Sequence, residues 1–133
     1  MGKTVGRGGY EQVNAIAVDY VDNLYIAGGS SGEEAVLAKY SSDGNKVWSH
    51  IKEKIYYSSI VVDGENNIYC GSGGSTHLVT KFSSDGKMMW NTNDAGETEW
   101  GAAGIALDSY GNIYVCGGSK ENHLMKIPAS EME

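Results

Sequence analysis

Apolar and polar positions alternate with a period of two along much of this chain, the pattern of half-buried β-strands. In the first third it runs over Val13–Val18, Asn23–Ala27, Ala35–Tyr40 and Asn45–Ile51. The segments between are rich in Gly, Ser, Asp and Asn, residues that close hairpins and tolerate left-handed backbone. No helix is predicted anywhere. The pattern specifies an all-β chain.

The pattern also recurs. Asp19-Tyr-Val-Asp-Asn-Leu-Tyr25 matches Asp63-Gly-Glu-Asn-Asn-Ile-Tyr69, and both match Asp108-Ser-Tyr-Gly-Asn-Ile-Tyr114. The aspartates Asp19, Asp63 and Asp108 stand 44 and 45 residues apart, and Asn23, Asn67 and Asn112 keep step with them. Leu37-Ala-Lys-Tyr-Ser-Ser-Asp-Gly44 matches Val79-Thr-Lys-Phe-Ser-Ser-Asp-Gly86, and Trp48 and Trp90 each follow four residues after the glycine. A period in the forties with about four short strands is that of a β-propeller blade. Small residues in the first strand of the repeats (Ala15, Ala17, Ala102, Ala103, Ala106) suit the crowded region near a propeller axis.

The chain therefore divides into an outer strand at 1–8, repeat 1 at 9–51, repeat 2 at 52–92 and repeat 3 at 93–133, all within a single propeller domain. After Met125-Lys126-Ile127 repeat 3 shows no fourth strand and no tryptophan to match Trp48 and Trp90, whereas Gly2-Lys3-Thr4-Val5-Gly6 resembles Gly86-Lys87-Met88-Met89-Trp90. Three blades are too few to close a ring. The expectation is that Lys3, Thr4 and Val5 of one chain pair beside Leu124 and Lys126 of another. Two chains then close a homodimeric six-bladed ring, or, if the rotation does not close, an open polymer.

Composition narrows the function. Of the 133 residues 41% are hydrophobic, so the 19 glycines mark turns rather than disorder. A net charge of −7 without a basic cluster excludes nucleic acid and anionic membrane surfaces as partners. No apolar run is long enough to span a bilayer, and residues 1–7 contain no signal-peptide segment. Cys70 and Cys116 occupy non-equivalent repeat positions and are expected to be buried free thiols.

The repeated residues resemble the bacterial and archaeal propeller repeat family often called SBBP, and more distantly the NHL-type blade. Asp108, Gly111, Asn112, Tyr114 and Gly117 match one half of its signature. Lys39, Tyr40, Asp43, Gly44 and Trp48 match the other, as do Lys81, Phe82, Asp85, Gly86 and Trp90. The resemblance implies a binding or display module at an extracellular or cell-surface location, with signature residues that build turns and inter-blade packing.

Candidate chemistry is sparse. The recurring aspartates lack the Asp-x-Asp-x-Asp-Gly loop that supplies enough oxygens for calcium, so they are read as turn residues. His50, His77 and His123 do not converge at metal-ligand spacing. There is no Gly-x-Ser-x-Gly elbow and no phosphate-binding loop. No cofactor and no enzyme activity is expected. An aromatic precedes the first strand of each repeat: Tyr10, then Tyr56 and Tyr57, then Trp100. With Glu97 and Glu99 nearby, these residues form a candidate shallow site for a glycan or a protein loop on the face bearing the Gly/Ser loops; the competing role is filling gaps between blades. The functional expectation is a non-enzymatic, self-assembling binding module. The alternative is a structural subunit in which blade completion between chains is itself the function.

Overall fold

The computed structural model describes residues 13–29, 34–53, 56–73, 79–92, 101–117 and 123–132. These form eleven strands in three antiparallel sheets. The first sheet holds β1 (Val13–Val18), β2 (Leu24–Gly29), β3 (Glu34–Tyr40) and β4 (Lys46–Glu53), in that order. The second holds β5 (Tyr56–Val62), β6 (Ile68–Gly73), β7 (Val79–Phe82) and β8 (Met88–Asn91), and the third β9 (Ala102–Leu107), β10 (Ile113–Gly117) and β11 (His123–Ile127). Every connection within a sheet joins sequence neighbours, as expected for hairpins closed by short turns. The fold is all-β, as the alternation predicts; after β11 the chain adds a 3-10 turn at Ala129–Met132, whose Met132 is buried.

The first hairpin of each sheet is closed by the same device. Asp19 Oδ1 accepts from the backbone N–H of Val21 and of Asn23, both at 2.9 Å, and Oδ2 accepts from Asn23 Nδ2 at 3.1 Å and Tyr25 Oη at 2.9 Å. Asp63 holds Glu65, Asn67 and Tyr69 in the same way, and Asp108 holds Tyr110, Asn112 and Tyr114. The chain can turn so tightly because the residue before the asparagine has positive φ: Asp22 at 67°, Asn66 at 65° and Gly111 at 84°. Asp, Asn and Gly enter that region at the lowest cost. Opposite each tyrosine in the ladder stands a lysine, Lys39, Lys81 and Lys126, with Nζ 5.6, 5.5 and 5.8 Å from the ring centroid. The repeated residues thus form one linked unit per sheet, tying the turn to the two central strands.

The sheets stack face to face, and alternation assigns each a tyrosine face and an aliphatic face. The tyrosine face of the first sheet (Tyr25, Ala27, Leu37, with Ala15, Ala17 and Trp48) packs on the aliphatic face of the second (Tyr57, Ile60, Ile68, Phe82). The tyrosine face of the second (Tyr69, Val79, Trp90) then packs on the aliphatic face of the third (Ala102, Ile113, Val115, Ile127), and Met132 closes this second core. A register shift in the first strand of every sheet, at Val13/Ala15, Tyr57/Ser59 and Ala102/Gly104, marks a β-bulge. The extra residue re-aims the strand, so that Tyr57 and Ile60, three apart, enter the same core.

Candidate functional site

The surfaces between sheets carry specific polar contacts as well as apolar burial. The bulge residue Asn14 donates from Nδ2 to the carbonyl of Tyr57 in the next sheet at 2.9 Å, and the equivalent Ser58 donates to the carbonyl of Ala102. Lys39 Nζ and Trp48 Nε1 both donate to the Ser84 carbonyl, at 3.1 Å each. Tyr20 N–H donates to Asn66 Oδ1 at 3.1 Å, joining two hairpin turns. Sheet-to-sheet placement is therefore fixed by side chains that the repeat supplies.

Each aspartate spends both of its oxygens on the turn. Burial would raise the Asp19 carboxyl, but donors from Asn23, Val21 and Tyr25 outweigh it and hold it below the usual carboxylate value. The Asn112 side-chain amide, with backbone donors, lowers Asp108 to about 2. Burial and the neighbouring carboxylate push the phenols of Tyr25 and Tyr69 up. This chemistry belongs to hairpin closure. Among the described residues no group of three or more His, Cys, Asp or Glu side chains could hold a metal ion. His50 stacks on Trp48, ring centroids 5.0 Å apart.

Several of the residues singled out from the sequence lie outside the described segments: Tyr10, Glu97, Glu99 and Trp100 of the candidate ligand site, and Lys3, Thr4 and Val5 of the outer strand expected at 1–8. Tyr57 is corrected from ligand contact to packing. Its ring is 3% exposed and meets Phe82 edge-on at 6.4 Å, because the bulge turns it into the core. Tyr56, one residue earlier in β5, is half-buried. Trp48 and Trp90 are packing residues, the first partly buried against one core and the second inside the other. Leu124 and Lys126 stand exposed on β11, Lys126 over the Tyr114 ring. Cys70 is buried, as expected, and burial pushes its thiol up; Cys116 is not buried but exposed, on the tyrosine face of the third sheet, against which no further described sheet packs.

A groove of about 780 Å³ opens at the other end of the strands from Tyr56 and Tyr57. Its floor is Val61, Val62, Ile105 and Leu107, its walls are the Asp63–Glu65 and Asp108–Gly111 turns, and the rings of Tyr20 and Tyr110 stand exposed at its edge. Sequence reasoning missed it by reading these turns only as strand closures. The signal was an aromatic at a turn position where the second repeat has Gly64 or Glu65.

No protein-family model matches the chain, and no curated protein matches it. Among solved structures it is similar to a protein of unknown function from Bacteroides caccae, with a TM-score of 0.60 over 95% of this chain at 10% identity. The chain spans about half, 49%, of that protein's length. At this identity the likeness concerns the fold alone.

Proposed function

We propose that this chain is a non-enzymatic, self-assembling β-propeller module of the SBBP repeat type, whose three sheets are half of a six-bladed ring. One observation carries the reading: the tyrosine face of one sheet packs on the aliphatic face of the next, twice in succession, through equivalent repeat positions. A contact that repeats between successive units propagates around an axis and closes a ring when the rotation per unit divides a full turn. The similar solved structure supports it in proportion, since the chain matches about half of that protein. Partners are then further copies of itself, plus a ligand at the surface the ring presents. The groove beside Tyr20 and Tyr110 suits a solute with an apolar face, such as a sugar ring, because exposed phenol rings offer flat contact and a polar tip.

Electron micrographs of the purified chain test the architecture. Class averages should show a disc with a central opening and radial lobes; a compact particle without an opening overturns the reading. A glycan array tests the binding half: binding that is lost in Tyr110→Ala protein, with assembly kept, is expected. An empty array removes carbohydrate as the ligand class.

A further inference from the structure

The same side chain has different fates in the three sheets. Leu37 and Val79 occupy equivalent places on the tyrosine face and are 0% exposed, each covered by the sheet that follows. Leu124 occupies that place in the third sheet and is 77% exposed. The complementary anomaly lies at the opposite end of the stack. Tyr57 and Ile60 of β5, on the aliphatic face, are 3% and 8% exposed, whereas their counterparts Val13 and Ile16 of β1 are 54% and 64% exposed. Val18, the next residue in that stripe, is 54% exposed. Elsewhere on this first face Val36, Ala38 and Tyr40 of β3 are buried, and Ile51 of the outer strand β4 is 39% exposed, so the more open apolar part is the β1 stripe. That stripe is the part the internal interfaces use, since β5 and β9 are the strands laid against the preceding sheet.

Resting on the self-assembling reading above, we propose that the β1 stripe of one copy docks on the β9–β10–β11 face of a second copy, head to tail. The receiving surface has the required shape. Ala15 and Ala17 make a low floor under β5 in the first sheet, and Gly104 and Ala106 make the same floor in the third. In the second sheet a side chain at Gly71 would meet Ala102 and Ile105 of the next, within about 3 Å of each. Cys116 stands at Gly71's place in the third sheet, so it meets the Val13 and Ile16 of the second copy, the counterparts of Ala102 and Ile105. Lys126 matches Lys39, whose ammonium donates to the carbonyl of Ser84; the counterpart acceptor is the Ser42 carbonyl of the second copy. Two contacts of the first internal interface have no counterpart among the described residues, because Ala103 replaces the bulge donors Asn14 and Ser58 and the third sheet has no equivalent of Trp48. The junction between copies is therefore weaker than those within a chain, and reversible.

Two experiments on the full chain test this. Under mild oxidation, Ile16→Cys protein should form disulfide-linked dimers through native Cys116, and Ile16→Cys/Cys116→Ser protein should form none. Linkage that survives loss of Cys116, or no linkage at all, overturns the proposal. Separately, Ile16→Glu and Leu124→Glu place an unpaired charge on either half of the contact, and each should weaken self-association by on the order of 100-fold. Circular dichroism first establishes that both remain folded. Mixing the two variants should restore a two-chain species, because each retains the face the other has lost. Either variant assembling alone like the unaltered chain, or a mixture that stays monomeric, refutes head-to-tail docking. An unaltered chain that never assembles defeats the proposed function as well, whereas assembly indifferent to these substitutions defeats only this interface.

Discussion

Replacing Asp19 by Asn tests whether the repeated aspartate is structural, and the geometry sets the size of the effect. The substitution keeps one carbonyl oxygen for the N–H groups of Val21 and Asn23 but puts an amide where Oδ2 accepts from Asn23 Nδ2 and Tyr25 Oη. Two donors then face a donor. The Tyr25 side chain is fully buried, so its hydroxyl has no water to turn to. Losing two charge-assisted hydrogen bonds, one to a sealed hydroxyl, costs about 2–4 kcal/mol. Asp108→Asn breaks the same set around Tyr114, which is only partly buried, and water replaces part of what is lost. Asp19→Asn should therefore destabilise the chain clearly more. Tyr25→Phe removes the stranded hydroxyl, so the double variant Asp19→Asn/Tyr25→Phe should fall short of the sum of the singles by about 1 kcal/mol. Urea unfolding followed by tryptophan fluorescence, at one fixed protein concentration, measures all four. Equal losses for Asp19→Asn and Asp108→Asn, or strict additivity of the pair, would refute the reasoning.

Acid should weaken the fold in a defined window. Asp108 is held at about 2, and Asp19, Asp43 and Asp85 are also held below 3.8, the last two first by the hydroxyls of Ser41 and Ser83. Carboxyls lowered in the folded state contribute fully above their unfolded value and lose that contribution as pH falls through the folded one. Urea midpoints should thus be flat above pH 5 and decline between about pH 4 and 2; a midpoint that rises on acidification contradicts the hydrogen-bond assignment. Ser59 Oγ is buried without a partner, and Ala15 fills the equivalent place in the first sheet. Ser59→Ala should consequently be neutral or stabilising by about 1 kcal/mol, read as a raised melting temperature, and a loss above 1 kcal/mol would mean the hydroxyl is satisfied. In Cys116→Ser protein the buried Cys70 should resist thiol reagents until urea unfolds the chain, whereas prompt labelling in buffer would place Cys70 outside the core.

Much of this fold is legible in the sequence because the determining interactions are local. Asp, Asn and Tyr at spacings of four and six residues close each hairpin by themselves, and alternation then assigns the faces. What alternation cannot state is which sheet covers a given face. Cys116 and Leu124 have strand patterns as apolar as their counterparts, yet they are exposed because they lie on the tyrosine face of the third sheet. Tyr57 escaped for another reason: a bulge shifts the period by one, so a residue read as rim enters the core. The groove depends on two turns from different repeats lying side by side, a relation between sheets rather than within one.

The mass of this 133-residue chain in solution, measured by light scattering over a range of concentrations, tests the central claim most directly. The account predicts a particle of twice the chain mass that dissociates on dilution. A folded species of one chain's mass at every concentration would contradict it.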